Sequence, residues 1–404
     1  MQRRTFLKDA AATASLLALT GCAARRPTAA TASALPFYDA VPPLTPIRAH
    51  ADRLFRITVC LRPFRAAGPR LDTERVGDKL VVHNYGHGGS GWSLSWGSSK
   101  VIVTKALHDG DKEIAVIGCG ALGLTSAITA QRMGARVTIY CKERPPDVRS
   151  SRATGGWTPD SRIALADKVD AGFPALWEQM ARTSWSTYQS YLGTPGDPIE
   201  FTDRYRLYDD EDDAPPERPE TKNPVKPLEF ASYSSRIRDL TPRWVELPPG
   251  SHPFPAKHVS RNSGLTFNVA DYSRQLMNDF QIAGGKIETA EFHTPNDLAV
   301  LPQKVVINCT GYGARALWSD ESIVPVRGQI GWLIPQENTH YGLYYKDIGV
   351  LARRDGIVVQ GHIYDDMYGY NDSDETPDRA DAERNLNILI ELYNRMAAMR
   401  PVRT

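Results

Sequence analysis

The stretch EIAVIGCGALGLTSAITAQRMGARVTIYCKE, residues Glu113 to Glu143, decides the fold. Ile114 to Ile117 is a short continuous apolar run and reads as a buried strand, Gly118-Cys119-Gly120-Ala121-Leu122-Gly123 as a turn, Leu124 to Met133 as a helix ended by Gly134, and Arg136 to Cys141 as a second strand. Each glycine has its own task. Gly118 permits the tight turn, Gly120 lets backbone come close to a phosphate, and Gly123 lets helix and strand pack with no side chain between them. The free N–H groups and positive dipole end of the helix then face an anion. The segment predicts an α/β fold built on a Rossmann-type unit, because the G-x-G-x-x-G pattern lies between a strand and a helix. An acid usually closes the second strand and holds a ribose hydroxyl. Here Cys141 and Lys142 stand there and Glu143 follows, open to two readings, a ribose ligand or a solvated loop charge.

The chain has 404 residues, 48 of them Lys or Arg and 47 Asp or Glu, with 41% hydrophobic content. That suffices for one large or two medium domains with a core, and the near-neutral charge gives no case for a nucleic-acid partner. After the N-terminus nothing approaches the ~18 consecutive apolar residues that span a bilayer. The N-terminus itself is distinctive: Arg3-Arg4-Thr5-Phe6-Leu7-Lys8, an apolar stretch from Ala10 to Leu19, then Leu19-Thr20-Gly21-Cys22. These residues resemble a bacterial twin-arginine signal ending in a lipobox, against the plainer reading of an amphipathic N-terminus. The resemblance implies a signal over 1–22 read by the twin-arginine export machinery, lipidation of Cys22, and a lipoprotein anchored on the periplasmic face of a bacterial membrane. Residues 23–50, rich in Ala, Thr and Pro without apolar periodicity, read as a flexible linker. Of five cysteines, Cys60, Cys119, Cys141 and Cys309 show neither metal spacing nor a disulfide framework and are read as buried or semi-buried thiols.

A second glycine-rich stretch comes before the first: His83-Asn84-Tyr85-Gly86-His87-Gly88-Gly89-Ser90-Gly91-Trp92-Ser93, between apolar Leu80 to Val82 and the region Trp96 to Val103. It is too rich in glycine for an ordinary strand or helix and reads as a loop whose N–H groups can lie against a flat ligand. His83 and His87 lack a Cys or carboxylate partner in this loop, so no metal is expected. Upstream, Arg56 to Arg65 reads as a strand carrying Arg62. Downstream, Ser150-Ser151-Arg152-Ala153-Thr154-Gly155-Gly156-Trp157 is a loop of small and hydroxyl residues. Val305 to Gly311 is a strand ending in a tight turn, and Val326-Arg327-Gly328-Gln329-Ile330 follows.

Together these segments resemble the D-amino-acid oxidase family of FAD-dependent oxidoreductases, with one rearrangement. In that family the dinucleotide fingerprint opens the chain and the HNYGHGG segment closes it, whereas here the order is reversed, which implies a circular permutation. Ser98 to Asp111 would be the closing helix and the join, with new ends at Met396 to Thr404 and near residue 50. The resemblance implies an FAD-binding domain over 51–160 and 260–329 and a mixed-sheet substrate domain over 161–259 and 330–404. FAD would lie on Gly118, Gly120, Ala121, Leu122 and Gly123, with Glu143 at the ribose and Ser150, Ser151, Thr154 and Gly155 along the flavin. Gly88, Gly89, Ser90, Gly91 and Trp92 would give backbone donors to the flavin pyrimidine, and Ser93 a hydroxyl.

The implied chemistry is oxidative deamination of a D-amino acid. A guanidinium binds a carboxylate with two parallel hydrogen bonds, which makes Arg62 the expected carboxylate clamp. Tyr344 is its expected partner by resemblance, with Tyr345 an open neighbour, and Ile348 stands where the family often carries a second tyrosine. Hydride would pass to the flavin, oxygen would be the acceptor, and an oxo acid, ammonia and hydrogen peroxide would be the products. Two other readings stay open: a dehydrogenase passing electrons to a quinone, and a lipid-anchored flavoprotein without activity. Arg353 and Arg354 are open to two readings as well, recognition of an acidic substrate or loop charges. The resemblance leaves oligomeric state undefined.

Overall fold

The glycine turn after Ile117 does what its sequence asks. In the computed structural model, which describes residues 44–209 and 227–399, β4 (Glu113–Ile117) runs through the turn into α2 (Ala121–Arg132) and returns as β5 (Arg136–Cys141), parallel to β4 and paired Glu113 with Arg136 through Ile117 with Tyr140. Gly118 adopts φ +102, and a side chain on Gly123 would drive into the Gly118 carbonyl. The helix starts at Ala121, three residues before the sequence reading, because the turn residues already carry helical bonds such as Leu124 N–H to Gly120 O.

A six-stranded sheet forms around this unit, in the order β2 (Thr73–Val76), β3 (Lys79–His83), β10 (Val305–Asn308), β4, β5, β9 (Lys286–Thr289). β3, β10, β4, β5 and β9 are parallel, and β2 closes one edge antiparallel. Such a sheet is covered on its faces, and its strands therefore read as near-continuous apolar runs. α1 (Gly91–Ala106) supplies cover with α2 and α4 (Val269–Ile282), and α3 (Phe173–Gln189) packs on α1. Gly91, Trp92 and Ser93, expected in a loop, form the first turn of α1, and the helix expected from Ser98 starts seven residues earlier. The reason lies in burial: Trp92, Leu94 and Trp96 all enter the core, and Ser99 bonds Thr125 and Ser126 of α2 at 3.0 Å each.

The second sheet has eight strands in the order β1 (Leu54–Arg65), β11 (Ile323–Leu333), β14 (Gly356–Gln360), β13 (Ile348–Arg353), β12 (Tyr341–Tyr345), β6 (Ile199–Tyr208), β8 (His258–Phe267), β7 (Val245–Glu246). It is mixed, with β12 parallel to β6 and the other pairs antiparallel. β1, β8 and the start of β11, which the sequence reading assigns to the cofactor half, run in this sheet. Conversely, α3 sits in the core of the cofactor half. The ladders of these strands run across the expected division, although β1 and β11 carry Arg62 and Gly328 to the cavity.

The linker expected through residue 50 is shorter. Ile47 and Ala49 are buried with Leu386, Leu389 and Leu392 of α5 (Arg379–Ala398), and the Tyr341 hydroxyl donates to Thr45 O at 2.9 Å. Two apolar residues among prolines carry no readable period, so this docking is silent in the sequence. The expected signal, Cys22 and the earlier part of the linker lie outside the described residues. Among the described residues no helix is long and apolar enough to cross a membrane.

Candidate active site

A cavity of about 580 Å³ runs along the C-terminal ends of β4, β5 and β10 and continues to the middle of β1 and β11. At one end stand Lys142, Glu143 and the Ala290–His293 segment after β9, with Lys142 paired to Glu291 at 2.7 Å. The middle is the turn from Gly118 to Leu122, where the Ala121 N–H donates to Ser150 Oγ at 3.1 Å. At the other end lie His87 to Gly89, Gly91 and Trp92, facing Arg152 to Thr154 and the Cys60–Pro63 stretch of β1. The crevice beyond the carboxyl ends of a parallel sheet is where such folds bind ligands.

The loop geometry at the far end is over-determined. Gly88 has φ +54, and a side chain there would meet the carbonyl of Arg162, with its carbon at 2.9 Å. The Gly89 N–H donates to Ser161 O at 2.9 Å, and the Ser90 hydroxyl donates to the same carbonyl at 3.1 Å. The Trp92 indole donates to Ser150 O at 2.8 Å, which ties the loop to the segment on the opposite wall.

Arg62 reaches this end from β1. Its Nη1 donates to Arg327 O at 3.2 Å, and a Cβ on Gly328, two residues along the facing strand from Val326 opposite Arg62, would lie 2.5 Å from the guanidinium carbon. Burial holds the Arg62 pKa below the usual range. Among the described residues no carboxylate stands within ion-pair distance of it. A second guanidinium, Arg162, is lowered to about 10 by burial and by the charge of Arg62, while its Nε and Nη2 donate to Asp366 O and Asp365 O. Tyr368, in the loop after β14, lies within electrostatic range of Arg62 and stacks on His362 with ring centroids 3.8 Å apart, but does not line the cavity.

Of the expected site residues, Arg62, Gly118, Gly120, Ala121, Leu122, Glu143, Ser150, Thr154, Gly88, Gly89, Gly91 and Trp92 line the cavity. Gly123, Ser151, Gly155, Ser90, Ser93 and Tyr344 do not. Ser93 is buried and accepts from Thr158 N–H at 2.8 Å, so its hydroxyl serves the loop wall. Gly155 is occupied with the strand, its carbonyl accepting from Phe267 N–H at 2.7 Å. Tyr344 lies on β12, four strand steps from β1, and its hydroxyl accepts from Arg204 Nη1 at 3.5 Å. Arg353 is buried against Asp355 and donates to Ala153 O at 2.6 Å, and Arg354 pairs with Asp197 and Glu200. Both charges are thereby used within the scaffold. His83 does have a carboxylate partner, Glu74, at 2.8 Å. No group of three or more His, Cys, Asp or Glu that could hold a metal ion is found among the described residues. Sequence reading missed the 290–293 segment and residues 312–313, which follow short strands and line the cavity.

The wall fits an elongated dinucleotide. A turn with glycine at 118 and 120 is backed by a hydroxyl, a helix N-terminus opens on the middle, and both ring nitrogens of buried His87 lack a partner where a flat ring with acceptors would lie. Burial alone lowers His87 to about 3.

Comparison with known proteins agrees. The family model DAO, described as FAD dependent oxidoreductase, matches residues 113–403. The D-amino-acid oxidase of Dictyostelium discoideum is 29% identical over 217 residues, covering 53% of this chain and 55% of that protein. The D-amino-acid oxidase of Streptomyces coelicolor is 27% identical over 227 residues, covering 54% of this chain and 58% of its own length. The chain thus spans a little over half the length of these curated relatives. A solved L-amino acid deaminase from Proteus vulgaris, lacking its specific insertion, is similar at 13% identity with a TM-score of 0.45, over 70% of this chain and 74% of that one. With the match covering well over half of its residues, the chain belongs to the DAO family of FAD-dependent oxidoreductases, and FAD is its cofactor.

Proposed function

We propose that this protein is a circularly permuted amino-acid oxidase that deaminates D-amino acids to 2-oxo acids, with oxygen as the acceptor. The observation that carries it is Arg62: a cation at the glycine-loop end of the cavity, with no carboxylate of its own. A half-buried cation without a carboxylate partner is costly, and a substrate carboxylate would relieve that cost. The permutation is supported by topology, since β3 and α1 precede the Rossmann-type β4–α2–β5 unit yet join its sheet and its core. The family match also begins at Glu113, after both.

Bound FAD supplies the hydride acceptor. Arg62 fixes the substrate by its carboxylate, and Gly328 leaves room for the guanidinium to lie across the strand. Such positioning can lower a barrier by about 7–11 kcal/mol at its upper limit. His87, neutral over the working pH range, is a weak base, so the residues at this end suit a substrate whose amine arrives already neutral. Export by the twin-arginine route and a lipid anchor on Cys22 remain part of the proposal, supported by the order of the N-terminal motifs.

The test is a purified chain lacking its first 22 residues, mixed without oxygen with D-amino acids, L-amino acids and simple amines while the flavin spectrum is followed. Bleaching by a D-amino acid is expected. Bleaching by L-amino acids or amines alone would overturn the substrate class, and full bleaching with slow reoxidation by oxygen would favour a quinone acceptor.

A further inference from the structure

Arg149 and Arg152 begin and end the short helical turn that follows β5, and both line the cofactor cavity. The turn is fixed from several sides. Ser150 Oγ accepts the Ala121 N–H at 3.1 Å and would lie 3.1 Å from a Cβ on Gly120, so this stretch rests against the glycine turn. The Arg149 carbonyl accepts from the Cys60 thiol of β1 at 3.5 Å, and Arg152 Nη1 donates to Val59 O at 3.1 Å. The Arg149 guanidinium lies over the Tyr312 ring, 5.5 Å from its centre.

A single carboxylate reaches both heads. Glu375, on the segment between β14 and α5, accepts from Arg149 Nη2 at 2.6 Å and from Arg152 Nη1 at 3.4 Å. Two cations thus share one anion. The Nε and Nη2 hydrogens of a guanidinium point from one edge, and such an edge takes a carboxylate or phosphate with two parallel bonds. On Arg149, Glu375 uses only the Nη2 half, while Nε is shut off from solvent without a partner. The residues on either side of Glu375 are pinned, Arg327 donating to Asp374 O at 2.9 Å and to Thr376 O at 2.7 Å. The Glu375 side chain can therefore swing while its backbone stays.

Charge decides what would fill the free half of that edge. Among the described residues, the Lys and Arg side chains that line the cavity are Arg62, Lys142, Arg149 and Arg152. Lys142 is paired with Glu291 and Arg62 stands at the far end, whereas Arg149 and Arg152 flank the serine that touches the glycine turn. The turn itself offers N–H groups and a dipole, but no full charge, to a doubly anionic diphosphate. We propose that Arg149 and Arg152 are a diphosphate-binding pair outside the glycine fingerprint, and that Glu375 is an internal anion competing with the FAD diphosphate for them. FAD retention then depends on the segment that carries Glu375. The inference rests on FAD lying in this cavity and not on which substrate is oxidised.

The experiment titrates FAD onto the full chain by flavin fluorescence, with ADP and riboflavin as competitors. ADP carries the diphosphate without the ring, and riboflavin the ring without a phosphate. Arg149→Gln should weaken FAD and ADP about tenfold, the worth of a charged hydrogen bond, and leave riboflavin unchanged. Glu375→Gln should tighten FAD and ADP about threefold, the scale of a half-exposed ion pair, and a damaged fold does not produce a gain. Wild-type FAD affinity in Arg149→Gln overturns the diphosphate pair, and so does an equal loss of riboflavin, which marks a damaged wall. Unchanged or weaker FAD binding in Glu375→Gln overturns the competition.

Discussion

The guanidinium of Arg62 lies across the bare Cα of Gly328, and any side chain at that position would occupy the space of the guanidinium carbon. β1 and β11 pair antiparallel, with Cys60 opposite Gly328 and Arg62 opposite Val326, so the side chain leans diagonally over its neighbour. The glycine of the R-G-Q stretch is thus part of the expected substrate clamp although it has no functional group. A methyl group there displaces the cation without changing its charge.

Gly328→Ala should therefore retain FAD and lose kcat/KM by about 10–100-fold, the worth of a charged hydrogen bond, chiefly through KM. Arg62→Ala should be worse, with turnover reduced by several orders of magnitude at unchanged flavin content. Steady-state kinetics beside the flavin absorbance of each purified variant check both. Near-normal efficiency in Arg62→Ala removes the clamp.

Two glycines of the same glycine-rich stretch, one in the loop and one opening α1, should behave oppositely. Gly88 has φ +54 and faces the Arg162 carbonyl, whereas the space around Gly91 is open within 4 Å. Gly88→Ala combines backbone strain of about 1–3 kcal/mol with a clash against rigid backbone, and should lower Tm in the FAD-free protein. Gly91→Ala should leave that Tm unchanged and weaken FAD binding, because Gly91 lines the cavity. Thermal melts with and without added FAD separate the two, and a Gly91→Ala chain with normal FAD affinity would remove this residue from the cofactor site.

How much of this was legible in the sequence depends on whether the signal was local. Val116 to Gly123 announced its own turn, because strand, glycines and helix are contiguous and each obeys a local steric rule. Arg62 was singled out through its neighbours in a motif, and the fold brings it to the cavity. Arg162 and Tyr368 were not, since they reach Arg62 from loops about 100 and 300 residues further along the chain, roughly counted, and nothing local distinguishes them from surface residues. Tyr344 shows the opposite case, a motif resemblance that the fold sets apart from Arg62. Its surrounding Gly-Leu-Tyr resembled an active-site loop, yet the strand order β1-β11-β14-β13-β12 sets it far along the sheet, and strand order is not written in any one strand. Ser93 was read as a loop hydroxyl because glycine concealed the start of α1, where tryptophan burial outweighs glycine's poor helix propensity.

His87 links the site to stability at low pH. Its folded pKa, about 3, lies below the unfolded value of about 6.5, so the unfolded chain binds the extra proton. Stability is unaffected above pH 6.5 or so and falls by up to about 1.4 kcal/mol per pH unit as pH drops from there towards 3. Wild-type Tm should decline over this window, and His87→Gln should show a shallower decline. Parallel Tm–pH curves for the two proteins would show that the imidazole is not held neutral by burial.

The proposed carboxylate clamp has two candidate tyrosines, and they predict different kinetics. Tyr344 is separated from β1 by four strand spacings, roughly 19 Å along the sheet, and its hydroxyl is spent on Arg204. Tyr368 lies within electrostatic range of Arg62 and is itself raised above its ordinary value by burial and by Asp381, so it keeps its proton as a donor at neutral pH. A protonated phenol beside a guanidinium can donate to the same carboxylate oxygen that the guanidinium binds. Tyr368→Phe should accordingly raise KM about tenfold with a smaller change in kcat, the loss of one hydrogen bond to a charged group. Tyr344→Phe should leave both constants within about twofold, since a bond at 3.5 Å inside the scaffold holds little. The reverse ranking would mean that β12 approaches the substrate in the loaded enzyme, and that the tyrosine inferred from motif resemblance, not the one beside Arg62, completes the clamp.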